Sequence, residues 1–196
     1  MTVAALYIDP RGPYPKLLGP ELCWDEARDA RTYAGPWPVV AHPPCQLWVN
    51  LAALNFKRYG GEHNRPGNDG GCFGSALAIV RCFGGVLEHP AGSKAWAAHR
   101  LLVPRGVGWC RDRDGWSCEV WQSAYGHKAR KRTWLYFCGE APPARAAVDA
   151  RARHAPVWLV RSHQAHAQQA RSLAHPCRLR RVAHQPGRAG RQKGGG

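Results

Sequence analysis

The stretch Val3-Ala4-Ala5-Leu6-Tyr7-Ile8-Asp9-Pro10 places six apolar residues in a row and then ends in an acid and a proline. A short continuous apolar run of this kind is typical of a strand that is buried on both faces, as strands of parallel sheets are. Residues 38–41 form a second such run, and residues 84–87 form a third. Each of them also leads directly into polar residues. The pattern predicts three neighbouring buried strands.

Helical segments are expected between these strands. Residues 47–56 and 72–82 have helical composition, and the segment between them, residues 59–71, is too rich in Gly, Asn and Pro to be anything but a loop. Residues 116–122 and 133–138 have the alternation and β-branched or aromatic content of two later strands. Strands alternating with helices predict an α/β fold with a largely parallel sheet.

Composition limits the class of protein. The chain has 196 residues, 44% of them hydrophobic, which suits one domain with a real core. No apolar run approaches the roughly 20 residues that span a bilayer, and the first residues lack a secretory signal, so we expect a cytoplasmic protein without a membrane partner. The eight cysteines include no Cys-x-x-Cys pair. This spacing argues against a zinc site and a disulfide scaffold, and we expect no metal and a monomer.

The net charge of +15 is unevenly distributed. Residues 1–139 hold 17 Lys and Arg against 11 Asp and Glu, whereas residues 140–196 hold 11 against 2. Such an excess favours a polyanion such as nucleic acid, although a solvated, solubilising surface explains it as well. Residues 140–196 have too few apolar residues to fold alone, and we expect a disordered basic tail. Their Arg, Ala, His and Pro usage is equally typical of GC-rich DNA translated in a shifted frame.

Residues with nucleophilic or titratable side chains follow the second and third apolar runs. Cys45 follows His42-Pro43-Pro44, and the two prolines fix a stiff turn that presents the thiol. Glu88-His89-Pro90 ends the third run. Ligands of open α/β sheets bind outside the carboxyl ends of the strands, so Cys45, Glu88 and the basic run after Tyr125 are expected to meet there. The alternatives are a buried structural cysteine, a Glu88–Lys94 ion pair and a solvated basic turn.

These three stretches resemble motifs of the DNA cytosine methyltransferases that modify ring carbon 5. Pro43-Pro44-Cys45-Gln46 is similar to their Pro-Cys motif, Glu88-His89-Pro90 to their Glu-Asn-Val motif, and residues 125–132 (YGHKARKR) to their Tyr-Gly…Gln-x-Arg-x-Arg motif. The three occur in the order of the family, and the match covers roughly residues 3–138. The chain also resembles small phage-encoded or prophage-encoded members. The resemblance implies a minimal Rossmann-like methyltransferase domain over residues 1–139, acting on DNA in a bacterial or phage-infected cell.

The resemblance also implies roles for particular residues. Cys45 would add to carbon 6 of a flipped cytosine, and Glu88, its pKa raised in a dry pocket, would protonate ring nitrogen 3. Arg130 and Arg132, two apart on an extended segment, would share a face and hold the base carbonyl, a phosphate or the thiolate, with Lys131 pointing away. The residues expected to contact the substrate are Gln46 and Lys131.

The cofactor implied by the resemblance is S-adenosylmethionine. The first strand is followed by Asp9-Pro10-Arg11-Gly12-Pro13, where the family has Phe-x-Gly-x-Gly, and this difference predicts weak cofactor binding. The residues expected on the cofactor side are Asp9, Gly12, Pro43 and Asp25, with Asp29 as an alternative to Asp25. Two other functions stay open: another pyrimidine-modifying enzyme with the same Cys and Glu chemistry, and a catalytically inactive DNA-binding relative.

Overall fold

A mixed seven-stranded sheet with helices forms the α/β fold of the described chain. The computed structural model describes residues 2–105, 108–125 and 127–142. The strands are β1 (Ala4–Leu6), β2 (Cys23–Trp24), β3 (Val39–Ala41), β4 (Gly85–Pro90), β5 (Cys110–Arg111), β6 (Trp116–Trp121) and β7 (Arg132–Cys138). The α-helices are α1 (Tyr14–Leu18), α2 (Asn50–Tyr59), α3 (Cys72–Phe83) and α4 (Lys94–Ala98). Short 3-10 turns occupy Pro20–Leu22, Ala30–Thr32, Gln46–Trp48, Glu62–Asn64 and Gln122–Tyr125.

The strand order is β2-β1-β3-β4-β7-β6-β5. Strands β2, β1, β3 and β4 are parallel, whereas β7 runs antiparallel to both β4 and β6, and β5 runs antiparallel to β6. The expectation of a largely parallel sheet therefore holds only for the first half. The connection from β6 to β7 covers residues 122–131, which is shorter than the dozen or more residues that a crossover between parallel strands needs, so the two strands pair antiparallel.

The three predicted apolar runs form the centre of the parallel half. Every residue of β1 and β3 is buried, which explains why these strands lack polar alternation. Helix α1 packs on one face of the sheet, where Tyr14 and Leu18 lie against the cluster of Ala5, Ile8 and Cys23. Helix α3 packs on the other face, where its buried residues lie against Val39 and Leu87. Both faces of the parallel half are thus covered.

Helix α3 follows the predicted pattern most closely. Its buried residues recur at helical spacing, and they are Phe73, Ala76, Leu77, Ile79 and Val80. At its N-terminus, the Asp69 carboxylate accepts a hydrogen bond from the Phe73 amide at 2.8 Å. At its C-terminus, Gly84 has φ 79°, and β4 begins at the next residue. A Cβ atom at Gly85 would collide with the backbone of Val39, so only glycine allows β3 and β4 to pair there.

Candidate active site

Cys45 and Glu88 come from two adjacent parallel strands. Strand β3 pairs with β4 so that Ala41 lies opposite Leu87, and continuing the register by one residue brings His42 beside Glu88. Cys45 follows after the two prolines, is partly buried, and precedes the Gln46–Trp48 turn. That turn is anchored by the Trp48 indole, which donates to the Asp69 carboxylate at 2.8 Å. The thiol therefore lies on a firmly held loop at the carboxyl edge of the sheet.

The Glu88 carboxylate is the centre of a hydrogen-bond chain. Its side chain is only 15% exposed. One oxygen accepts from His42 Nδ1 at 3.2 Å and the other from the Gln122 amide at 3.0 Å. On its far side, His42 Nε2 lies 2.7 Å from the Tyr14 hydroxyl. Residues from α1, the end of β3, β4 and the turn after β6 thus converge on one carboxylate, whose hydrogen-bond partners do not include Lys94.

The environment of Glu88 keeps it ionised. Burial raises its pKa and is the largest single contribution, but the hydrogen bond and electrostatic effect of His42, together with the electrostatic effects of Lys131 and His89, outweigh it. The net result is a pKa below the ordinary value for glutamate. This direction is opposite to the expected one, because the sequence did not reveal that a histidine would face the carboxylate. In the free protein Glu88 is therefore a hydrogen-bond acceptor.

Lys131, and not the arginine pair, lies on the Glu88 face of the sheet. Glu88 pairs with Leu135, and side chains alternate between faces along β7, so Arg132 projects to the opposite face. The Gln122 side chain lies on the same face as Glu88, because its amide donates to the Glu88 carboxylate. The Gln122 backbone N–H donates to the Lys131 carbonyl. Lys131 is near enough to Glu88 to lower its pKa. The charge of Lys131 thus acts on Glu88, and the orientation of its side chain toward a bound base stays a prediction.

The two arginines do share a face, and there they meet β6. The guanidinium of Arg130 lies 5.1 Å from the Trp121 ring centroid, and that of Arg132 lies 5.9 Å from it. Arg132 also forms a two-pronged ion pair with the Glu119 carboxylate, with both N–O distances 2.8 Å. Glu119 accepts a further bond from the Trp134 indole at 3.0 Å. The structure does not bring this cluster to Glu88.

A cavity of about 540 Å³ lies at the carboxyl ends of β2, β1 and β3. The chain passes from β1 to β2 on one side and returns to β3 on the other, and this reversal of strand order is where α/β sheets bind ligands. The cavity is lined by Tyr7, Ile8, Asp25, Glu26, Asp29, Ala30, Arg31, Pro44, Gln46 and Cys72. Tyr7 has φ 58°, an uncommon conformation for a residue with a side chain, of a kind that often occurs at ligand sites.

The cavity contains some of the residues expected to hold a cofactor. Asp25 and Asp29 line it, and Gln46, which is expected to contact the substrate, lines it as well. Asp25 comes directly after β2, a two-residue strand that the sequence pattern did not reveal. Pro44 lines it, whereas Pro43 is not among its lining residues and is buried. The lining carries three carboxylates against one arginine, and Arg31 is already paired with Asp29 at 2.9 Å. The cavity therefore suits a cationic ligand.

The loop after β1 has a different role in the described chain. The Asp9 carboxylate accepts from the Arg11 backbone at 2.9 Å and from its guanidinium at 3.3 Å, and the Gly12 amide donates to the Asp9 carbonyl at 2.8 Å. Neither Asp9 nor Gly12 is among the residues lining the cavity. Both contribute to a closed turn, and their assignment to a cofactor stays a prediction.

Sequence reasoning missed three members of the hydrogen-bond chain: Tyr14, His42 and Gln122. His42 had a usable signal, because a residue before proline is extended and so continues β3 by one position. Within residues 2–105, 108–125 and 127–142, no cluster of three or more His, Cys, Asp or Glu side chains is placed to hold a metal. In the same residues, no helix has both the length and the apolarity to cross a membrane.

No protein-family model, curated protein or solved structure matches the chain. The expected tail lies outside the described residues from position 143 onwards, as does Gly126 of the third motif. The site must therefore be interpreted from its own geometry.

Proposed function

We propose that the protein is a DNA cytosine-C5 methyltransferase-like enzyme in which Cys45 attacks a flipped cytosine. The observation that carries the proposal is the pairing of a cysteine-bearing turn with a buried carboxylate at the ends of adjacent strands, joined through His42 and bordered by Lys131. The neighbouring acidic cavity supports it. The Rossmann-like assignment of the parallel half is part of the same proposal.

The chemistry requires a sulfur nucleophile because carbon 5 of cytosine is unreactive until a nucleophile adds to carbon 6. The Cys45 thiol gives its proton to solvent, and its sulfur forms a bond to carbon 6. The electron pair of the carbon 5–carbon 6 double bond then moves into the ring, carbon 5 becomes nucleophilic, and nitrogen 3 takes up a proton. After substitution, carbon 5 loses its hydrogen as a proton and the sulfur leaves. Cys45 is regenerated.

Glu88 is suited to orient the base. An ionised carboxylate accepts hydrogen bonds, and the 4-amino group of cytosine is a donor that glutamate and aspartate recognise. Two of the lone pairs of Glu88 are used by His42 and Gln122, and others remain for the base. Uracil and thymine present an oxygen acceptor at the same ring position, so an ionised Glu88 would reject them.

The cavity fits S-adenosylmethionine by volume and by charge. Its volume of about 540 Å³ lies in the usual range of roughly 300–1,000 Å³ for small-molecule sites. Asp25 would hold the ribose hydroxyls, and the surplus of carboxylates would favour the sulfonium. When bound, this cofactor supplies an electrophilic methyl group to carbon 5. Pro44 and Gln46 line the cavity on either side of Cys45, which supports a shared site.

Release of tritium from carbon 5 of cytosine in duplex DNA tests the proposal, because this exchange needs the thiol and not the methyl donor. We expect exchange with the full-length wild-type chain and none with Cys45→Ala. Mass spectrometry of nucleosides from the same DNA with S-adenosylmethionine then identifies the product. Exchange without 5-methylcytosine would favour another pyrimidine modification, and DNA binding without exchange would favour an inactive relative.

A further inference from the structure

We propose that His42 is a positioning residue that holds the proton destined for the base and passes it through the Glu88 carboxylate, with Tyr14 fixing its ring. The inference rests on the proposed function and deepens it. The geometry is a continuous chain: Tyr14 to His42 Nε2 is 2.7 Å, and His42 Nδ1 to Glu88 is 3.2 Å. Since an ionised carboxylate can only accept, Nδ1 is the donor to Glu88.

The Tyr14 hydroxyl lets the chain exist in two charge states. When His42 is neutral, Nε2 accepts a hydrogen bond from the hydroxyl. When His42 is protonated, Nε2 donates to the same oxygen, because a hydroxyl is both donor and acceptor. Neither state leaves a polar group without a partner. His42 can therefore take up a proton at Nε2 without rearrangement, which suits a residue that supplies protons through Nδ1.

The surroundings of the pair keep Glu88 ionised, so the proton of the Glu88–His42 hydrogen bond belongs to Nδ1. The hydrogen bond of His42 is the largest of the contributions that lower the Glu88 pKa. The other titratable groups near enough to interact with this pair are Tyr14, His89 and Lys131. Burial and the Glu88 charge raise the pKa of Tyr14, which stays a neutral hydroxyl, and burial lowers the pKa of His89 to about 4, which keeps that ring neutral. The charge of Lys131 favours ionised Glu88.

This chain can supply the proton that nitrogen 3 takes up in the addition step. As the Cys45 sulfur bonds to carbon 6 and the ring electrons shift, protonated His42 passes its Nδ1 proton to the Glu88 carboxylate, and Glu88 passes a proton to nitrogen 3. The neutral imidazole that results keeps its other proton on Nε2, which still donates to the Tyr14 oxygen. The step consumes one proton stored on His42 and needs no other reactant. Glu88 returns to the ionised state in which it recognises the 4-amino group.

The test uses His42→Gln, because an amide can donate to Glu88 but cannot carry a proton. Carbon-13 labelling of glutamate carboxyl groups follows the titration of Glu88, whose signal is assigned by its loss in Glu88→Gln. We expect Glu88 to titrate below an ordinary glutamate in the wild type and higher in His42→Gln. The turnover rate in the tritium-exchange assay should fall roughly 10²-fold while the Kd for DNA stays within about twofold.

Two variants control for folding and for general effects. His63→Gln changes an exposed histidine whose side-chain hydrogen bond is to Asn64, and it should leave both measurements unchanged. Tyr14→Phe should cost less than about tenfold, because it removes only the partner of Nε2. If Glu88 titrates alike in the wild type and in folded His42→Gln, the inference is overturned whatever the activity. If the titration shifts but the wild type shows no exchange, the proton location stands and the proposed function fails.

Discussion

Glu88 and His89 are consecutive residues of one motif, but their side chains lie on opposite faces of the sheet and in different environments. Glu88 is surrounded by His42, Gln122 and the charge of Lys131. His89 is 1% exposed, its ring lies against the aromatic rings of Phe73 and Trp96, and its Nδ1 lies 2.7 Å from the Ser93 hydroxyl. The face of β4 that carries Glu88 surrounds an ionised carboxylate, whereas the face that carries His89 surrounds an uncharged ring.

The difference shows how packing decides protonation. Burial is the largest contribution for both residues. For Glu88 it is outweighed by cationic and hydrogen-bonding neighbours, and the carboxylate stays ionised. For His89 the Pro44 carbonyl and the Glu88 charge oppose burial only in part, so the pKa falls from 6.5 to about 4. Two consecutive residues of one strand thus carry an ionised carboxylate on one face and a neutral ring on the other.

Tritium exchange at the Glu88 face should be lost completely when the nucleophile is removed. We expect Cys45→Ser and Cys45→Ala to abolish tritium exchange while thermal unfolding is unchanged, because Cys45 lies on a surface loop and supplies the only bond to carbon 6. Cys138→Ser is the matched control, since Cys138 pairs with Gly85 at the opposite end of β4. Equal loss of exchange in folded Cys138→Ser would remove the assignment of Cys45.

Glu88→Gln should lower the turnover rate by roughly 10²-fold to 10⁴-fold, the range for a lost acid–base group, with little change in stability. His89→Gln should do the reverse and lower the unfolding temperature more than the rate. Steady-state exchange kinetics and thermal unfolding of both variants measure this contrast. A near-normal rate in Glu88→Gln would make this carboxylate a structural group, like its neighbour.

His89 should contribute to the pH dependence of the free energy of unfolding. Because the folded pKa of His89 is depressed from 6.5 to about 4, the unfolded chain binds a proton before the folded one does. Its contribution is present above pH 6.5 and is lost as the pH falls to about 4, a loss of about 3 kcal/mol at 1.36 kcal/mol per pKa unit. Urea unfolding across this window should show a smaller decline for His89→Gln. Identical declines would mean that the ring is not held neutral.

The central strands could be predicted from sequence because their residues are buried on both faces. The apolar runs before Asp9, His42 and Glu88 correspond to β1, β3 and β4, and the helix predicted over residues 72–82 is α3. The strands β2 and β5 have two residues each, too few for any periodicity to be visible. Helix α2 begins three residues later than predicted, because the residues after Cys45 first form a 3-10 turn.

The site was less accessible to prediction than the fold. Cys45 and Glu88 could be placed at strand ends, but their partners depend on tertiary register. The face occupied by Lys131 follows from the pairing of Glu88 with Leu135, which no local pattern specifies. The direction of the Glu88 pKa likewise depends on His42, a contact between residues 46 positions apart.

Two aspartates test whether the cavity or the first loop holds the cofactor. Asp25→Ala should weaken S-adenosylmethionine binding by about tenfold or more, the size of a lost hydrogen bond to a charged group. Asp9→Ala should not change it, because the Asp9 carboxylate is tied to Arg11 and lies outside the cavity lining. Isothermal calorimetry with the full-length chain measures both. The opposite ranking would show that the loop after β1 forms the cofactor site and that the cavity serves another ligand.

The smallest expected effect is the difference between variants of Lys131 and Arg132, which lie on opposite faces of the basic segment. Lys131→Met should lower the exchange rate roughly fivefold, since one charge contact is worth about 1 kcal/mol near water. Arg132→Met should change it less than twofold, because Arg132 is held by Glu119 on the opposite face and that exposed pair contributes little. DNA binding measured beside the rates shows whether either side chain contacts phosphate instead. If Arg132→Met is the more damaging variant at unchanged DNA affinity, substrate binding must bring the arginine face to the base, and the separation of faces in the free protein would not describe the working site.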